Sequence, residues 1–358
     1  MTETRGVRRT MSSTIGDQDA LIRRYEKRIY DLEQLLEISK SLNSTLDYDS
    51  LIQSILYICM GQMKVLRAGV FVRESAEKDE LALHRIRVGY ELDNGVRYAI
   101  PEQHEIIRFF QKNFGVYTFD EVKEHTGDTA LIEMLETMEP VLLAPLKARS
   151  AVNGVLVLSD HMDFAAFTSG EKEFLKTSAI FAGMAVHNAF LYEVSTTDMM
   201  TGLKLRHFFL EKLRDYQMMH AENGLPLSLA MIDIDHFKDV NDSYGHLCGD
   251  HVIRAVTRMI RDSIRQTDTA ARIGGEEFVI MLPDTSIDAA RVLAERIRRS
   301  IADAHIRWGE ITVNVTVSVG VAQFEPERDG SAHDIIARSD EAMYRSKQSG
   351  RNQVSFAR

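Results

Sequence analysis

Arg272-Ile-Gly-Gly-Glu-Glu-Phe278 is the stretch on which the reading of this chain turns: two glycines lead into two carboxylates and then an apolar run, Phe278-Val-Ile-Met-Leu282. A Gly-Gly pair between extended apolar runs predicts a tight hairpin, because glycine reaches positive φ without steric cost. Such a turn lets a bulky anion approach the backbone, and it fixes Glu276 and Glu277 at the mouth of a strand. Paired carboxylates held that way suit hard divalent cations, which take oxygen ligands. Taken alone, Gly-Gly-Glu-Glu is equally an ordinary polar hairpin.

Working outward, Leu227-Ser-Leu-Ala-Met-Ile-Asp-Ile-Asp235 predicts a buried strand ending in acid. Asp233 and Asp235 share one strand face by the period of two. A buried, unpaired carboxylate is costly to desolvate, and a bound metal removes that cost. The chain continues His236-Phe-Lys-Asp-Val-Asn-Asp-Ser-Tyr-Gly-His246, with a helix expected from about Leu247 carrying Asp250.

At this point the chain resembles the GGDEF-type diguanylate cyclases. The resemblance rests on Asp233-Ile-Asp-His-Phe-Lys238, Asn241-Asp, Gly245-His246, Gly249-Asp250 and Gly274-Gly-Glu-Glu-Phe278, in the family's order and spacing. A leading motif, Asp198-Met-Met-Thr-Gly-Leu203, and a closing one, Lys347-Gln-Ser-Gly-Arg351-Asn, extend it from about Asp198 to the C-terminus. It implies an α+β palm, related to nucleotidyl cyclases, over residues 199–358. The implied reaction joins two GTP molecules into cyclic di-GMP and releases two pyrophosphates.

Residue by residue, the resemblance makes Asp233, Glu276 and the carbonyl of Ile234 ligands of Mg²⁺, or of Mn²⁺ in its place. Glu277 is a metal contact or the general base. Catalysis falls to Glu276, Glu277 and Lys238, and Lys238 with the backbone around His236 and Phe237 holds phosphates. Lys347 and Arg351, four apart, reach the triphosphate tail. Asn241 and Asp250, with His246 nearby, match the positions that read guanine, and Asp250 favours GTP over ATP. Arg265-Gln-Thr-Asp268 matches the family's product-inhibition site for cyclic di-GMP, and Arg296 the position of a second arginine that completes the site from another subunit. Read without the family, Arg265-x-x-Asp268 is an exposed helix-end ion pair. Two alternatives to the cyclase are a non-enzymatic cyclic di-GMP receptor and a synthase of mixed purine dinucleotides. Retention of Asp233, Glu276 and Glu277 argues against the first, and Asp250 against the second.

Two departures from the family pattern stand in the leading motif, which continues Lys204-Leu-Arg-His207 where Asn-Arg-Arg is usual. Leu205 removes a polar turn contact. Met200 replaces the usual Leu.

Composition sets wider bounds. The 358 residues imply two or more domains. A net charge of −10 argues against a general nucleic-acid binder, which leaves the basic run Arg296-Ile-Arg-Arg299 as a solvated helix face or a nucleotide contact. Cys59 and Cys248 are far apart, so neither a disulfide framework nor a cysteine-rich zinc site is expected. No apolar stretch of ~18 residues and no signal peptide is found, which points to a cytoplasmic chain without a membrane span.

Residues 1–16 are expected to be a disordered tail. Over residues 17–45, Ile22, Ile29 and Leu36 repeat every seven residues, as do Tyr25 and Leu32, predicting a coiled-coil or amphipathic helix. A helix is expected over Leu51–Leu66 and strands over Ala68–Arg73, Glu80–Val88, Pro140–Leu146 and Gly154–Ser159, with turn chemistry at Asn153-Gly154. Phe167-Thr-Ser-Gly-Glu-Lys-Glu-Phe174 opens a long helix capped by Thr168 or Ser169. Through Leu36–Leu46 and Phe164–Leu191, residues 30–190 are similar to GAF sensory domains, whose ligand the sequence leaves unknown. The stretch 180–198 reads as a signalling helix whose single weak point is Gly183. In the catalytic part, helices are expected at about 206–222, 247–266, 286–304 and 333–349, and Thr312–Gly320 alternates as a half-buried strand should. One GTP per active site implies a homodimer, with two catalytic domains facing each other.

Overall fold

Helix-forming periodicity meets its own core early in the chain. The structure, a computed structural model, describes residues 22, 25, 26, 28–30, 32–73, 78–93 and 95–357. The tail expected over residues 1–16 lies outside them. The chain divides into two units, Met1–Glu193 and Val194–Arg358.

In the first unit a helix through residues 32–43 precedes α1 (Tyr48–Met63), which Asp47 caps by accepting from the Ser50 N–H. There follow β1 (Ala68–Val72), β2 (Glu80–Leu83), β3 (Ala99–Pro101), α2 (Glu105–Lys112), β4 (Tyr117–Thr118), α3 (Phe119–Lys123) and α4 (Thr129–Glu136). Strands β5 (Leu142–Ala148) and β6 (Ala151–Leu158) and helix α5 (Ser169–Thr196) complete the sequence. The sheet has the order β3-β2-β1-β6-β5-β4 and every pairing is antiparallel. Both faces are covered. Val70, Leu142 and Leu156 join α1 and α5 in one apolar cluster, while Phe71, Val155 and Val157 join α2 and α4 in another. Strands buried on both faces lose the polar alternation of a solvated sheet, and all five residues of β1 are buried.

Two readings of this unit need correction. Asn153-Gly154 is not a turn: it lies inside β6, and the β5–β6 turn falls at Arg149, with φ of 55°. A Cβ at Gly154 would lie 2.7 Å from the Phe71 carbonyl oxygen, so close strand approach explains the glycine. Nor is Gly183 a weak point. A Cβ there would come 2.6 Å from the Lys147 nitrogen, where the register shifts between Leu146 and Lys147. The glycine is the place where α5 presses on the sheet backbone. Helix α5 itself opens with a reciprocal cap, Thr168 Oγ1 accepting from the Glu171 N–H and Glu171 accepting from the Thr168 N–H.

The second unit begins with a tight turn, Asp198–Leu203, in which Asp198 accepts from both the N–H and the hydroxyl of Thr201. Next come β7 (Lys204–Leu205), α6 (Arg206–Asn223), β8 (Leu227–Ile234), α7 (Phe237–Tyr244), α8 (His246–Ser263), β9 (Thr269–Arg272) and β10 (Glu277–Pro283). Helix α9 (Ile287–Ala302), β11 (Ile306–Trp308), β12 (Ile311–Val313), β13 (Val317–Gln323), α10 (Ala332–Gln348) and β14 (Val354–Phe356) follow. The sheet order is β14-β13-β8-β10-β9-β7, antiparallel except for β13–β14 and β7–β9. Helices α8 and α9 cover one face and α6 and α10 the other.

The run Thr312–Gly320 does not form one half-buried strand. It divides between β12 and β13, and β13 is buried on both sides, with Ser318 fully so. Gly320 faces α10, whose backbone at Ser339 and Met343 leaves no room for a Cβ. Leu205 precedes α6 without any side-chain cap, consistent with the polar contact its sequence position gives up. Cys59 and Cys248 are both buried and free, and among the described residues no helix is long and apolar enough to cross a membrane.

Candidate active site

Strand β8 is buried along all eight residues and lies between β10 and β13, so its C-terminal end is held from both sides. Register sets Asp233 opposite Glu277 on β10 and opposite Ser318 on β13. The hairpin β9–β10 therefore delivers Glu276 and Glu277 beside Asp233, as the two carboxylate motifs led one to expect. The reason for the glycines differs from the expected one. Neither Gly274 nor Gly275 has positive φ. A Cβ at Gly274 would meet the Glu277 carboxylate as it now lies, whereas Gly275 opens on free space.

The two aspartates at the end of β8 have separate surroundings. Asp235 accepts from the Thr316 and Ser318 hydroxyls, both at 2.7 Å, and from the Asn352 N–H at 3.1 Å. Its burial is thus met by hydrogen bonds, and no metal is needed to explain it. Asp233 is equally buried but has the Lys347 ammonium at 2.8 Å. Desolvation pushes the Asp233 carboxyl up to about 6 against the opposing pull of Lys347, and the Glu276 and Glu277 charges push the same way. Negative charge is concentrated there beyond what one lysine neutralises.

Among the described residues no three His, Cys, Asp or Glu side chains converge on one point. Magnesium is ordinarily held by one or two carboxylates together with substrate phosphates rather than by an all-protein cage. Asp233, with the neighbouring Glu276 and Glu277 and the backbone of Ile234, is a donor set of that kind.

Around this point the remaining residues fall into two groups. Helix α7 starts at Phe237 after His236, which has φ of 56°, and no side chain caps it. An uncapped helix N-terminus offers N–H donors to an anion. Phe237 itself is buried in the core, so only its backbone can serve there, while Lys238 is exposed. Gly245, with φ of 81°, turns the chain from α7 into α8 and leaves His246 exposed at the helix start. The Asn241 carboxamide rests directly on Gly249, which sets it next to Asp250. Lys347 occupies the last turn of α10, and Arg351 is exposed just beyond it with φ of 65°. Lys347 was expected on phosphate and instead sits on Asp233, with enough exposure to leave it.

Arg265 and Asp268 lie past the end of α8, where Asp268 accepts from the backbone N–H of Arg265 at 2.8 Å. The link is a backbone turn, not the ion pair that the bare sequence suggested. Arg296 donates to the Ser263 carbonyl at the end of α8, which brings it to the same corner of the same chain as Arg265.

One residue escaped the sequence reading. Arg272 donates from Nη2 to the Gly275 carbonyl at 2.7 Å and lies 3.3 Å from Asp198. It ties the signature hairpin to the turn that follows α5.

Comparison with known proteins points to one family. Residues 195–353 match the family described as diguanylate cyclase, GGDEF domain. Over 337 residues the chain is 41% identical to Diguanylate cyclase A of Treponema denticola, covering 93% of this chain and 91% of that protein. The chain belongs to the diguanylate cyclase family. Other relatives resemble this cyclase through its C-terminal part: Diguanylate cyclase DgcP of Pseudomonas aeruginosa is 41% identical over 161 residues, 45% of this chain and 24% of that protein. Among solved structures, the GGDEF domain of DgcB from Caulobacter crescentus in complex with c-di-GMP is 36% identical, with a TM-score of 0.44, over 46% of the cyclase and 93% of that chain.

Proposed function

We propose that this cyclase condenses two GTP molecules into cyclic di-GMP, as a homodimer in which each catalytic unit binds one GTP and faces the other. The observation that carries the reading is the buried Asp233, set opposite Glu277 by register and beside the uncapped start of α7. Each 3′-oxygen forms a bond to the α-phosphorus of the other nucleotide while the bond to pyrophosphate breaks. Asp233, the Ile234 carbonyl, Glu276 and Glu277 would hold Mg²⁺, or Mn²⁺, which when bound lowers the hydroxyl pKa and neutralises phosphate charge.

The chain's own residues do the rest. The N–H groups at the start of α7 and the Lys238 ammonium take phosphate oxygens. Lys347 exchanges Asp233 for the triphosphate tail, joined there by Arg351. Asp250 accepts from guanine N1–H and the exocyclic amine, an arrangement adenine cannot answer, and Asn241 and His246 complete the base site. Glu276 or Glu277 takes the proton of the attacking hydroxyl.

The first unit, with helices on both faces of an antiparallel sheet, supports a GAF-like sensor over residues 30–190 acting through the helix at 180–198 on the catalytic domain at 199–358. Arg265, Asp268 and Arg296 supply the site for product inhibition, supported by their shared corner at the end of α8. The enzyme works in the cytoplasm, where its substrate is made. Purified protein incubated with GTP, ATP and Mg²⁺ is expected to yield cyclic di-GMP and pyrophosphate. A mixed purine product would overturn the role of Asp250, and absence of any cyclic dinucleotide would overturn the reading as a whole.

A further inference from the structure

The helix at the start of the described chain has two apolar faces. Ile38 and Leu42 belong to the core of the first unit, in one cluster with Leu51, Ile55 and Ala179. A second stripe, Ile22, Tyr25, Ile29, Leu32 and Leu36, stands 54–60% exposed. Its spacing alternates by three and four residues, the 3.5-residue period of a coiled-coil seam. A surface helix with only its own core to cover shows one broader stripe at period 3.6 instead.

Chemistry at the stripe selects its occupant. Ile22 and Ile29 at position a with Leu32 at d follow the pattern that favours two parallel strands, from which Tyr25 at d and Leu36 at a depart. Glu26 and Glu33 then fall at e and Arg28 at g, all three exposed and helical. In a parallel, in-register pair, g of one helix faces e of the following heptad on the other, so Arg28 meets Glu33. An antiparallel pair with a facing d, Ile29 against Leu32, would set Glu26 against Glu33, like charge against like. We infer that this face is an interface between two copies of the chain, their N-terminal helices parallel and in register through Ile22, Tyr25, Ile29, Leu32 and Leu36. The inference rests on the homodimer reading for its partner, and it adds a second contact, in the sensor half, to the one the chemistry requires.

Cysteine cross-linking of the full-length protein tests it, since Cys59 and Cys248 are buried. Tyr25→Cys and Leu36→Cys, made separately, are both expected to give a covalent dimer under mild oxidation, while Tyr30→Cys on the outer face gives only background. Arg28→Glu should lower the Leu36→Cys yield several-fold, and adding Glu33→Arg should restore it. In an antiparallel pair each of positions 25 and 36 would lie far from its own counterpart, at a rise of 1.5 Å per residue. Cross-linking at Ile29→Cys but at neither flank would therefore overturn the parallel register. Absence of cross-links at every seam position would overturn the interface. If that absence came with binding to phosphatidylglycerol vesicles that Ile29→Glu abolishes, the stripe would belong to a lipid surface. GTP turnover of the reduced variants is read alongside. Turnover without cross-links sinks the seam alone, and cross-links without turnover sink the assigned reaction alone.

Discussion

Both units of this cyclase cover a six-stranded sheet with helices on each face, but they treat the strand ends differently. In the first unit the ion pairs Arg97–Glu80 and Arg67–Glu139 lie toward the surface, and apolar clusters fill both faces of the sheet. In the second, a wholly buried strand runs into two buried carboxylates at one end. A sheet made only to pack gives no strand end special standing. A strand that runs into buried carboxylates of which one, Asp233, also lies beside further acid marks where its chemistry takes place.

The sharpest way to break that contrast is Asp233→Asn. Cyclic di-GMP formation should fall on the order of 10³-fold or more, the scale of several kcal/mol that a metal ligand supplies in the transition state. Initial rates measure it, and a near-normal rate would return Asp233 to the status of a rim charge.

The same residue predicts an unusual pH slope in metal-free protein. Folded Asp233 titrates near 6 against an ordinary value of 3.8. Its contribution to stability is complete below the unfolded value and is lost as pH rises through the folded one, because the carboxyl must then ionise in its buried place. The loss is on the order of 3 kcal/mol between about pH 4 and pH 7. Chelator-treated wild type and Asp233→Asn should therefore converge in stability below about pH 4 and separate as pH rises, the full gap being reached above about 6 with the variant the more stable. Denaturant melts across that range give the difference, and parallel curves would contradict it.

Glycine substitutions compare the two sheets as packed objects. Gly320→Ala drives a Cβ into the α10 backbone and should cost about 3 kcal/mol in the second unit. Gly154→Ala meets one strand carbonyl in the first and should cost about 1–2 kcal/mol. Unfolding followed by a probe in each unit separates them. The smallest effect is expected at the rim: Arg265→Ala should leave the initial rate unchanged and shift only the product-inhibition curve. An unaltered curve would make Arg265 a turn residue and nothing more.

What could be read from sequence follows the range of the interactions involved. The hairpin at Gly274-Gly275, strand β8 and helices α6, α8, α9 and α10 were legible because periodicity and turn signals are local. The partners of Asp235 were not, since Thr316 and Ser318 come 81 and 83 residues later. Asn153-Gly154 has the composition of a turn and lies in a strand because Phe71, remote in sequence, needs the space. Helix α7 escaped notice for a different reason: Lys238-Asp-Val-Asn-Asp-Ser243 is poor in helix formers and forms eight residues of helix against a core that Phe237 and Val240 enter. Among site residues, the carboxylates announced themselves by type, whereas Arg272 acts through a carbonyl and a distant aspartate, and neither leaves a pattern.

The contact at Gly183 works as a seat for helix α5. The helix has 28 residues, and thirteen positions separate Gly183 from Thr196 at its end. At 1.5 Å per residue that stretch of helix is about 20 Å long. The strand beneath the seat is irregular between Leu146 and Lys147. The bare face of the helix is thus seated on the strand backbone, and any larger side chain at position 183 must lift the helix off its seat.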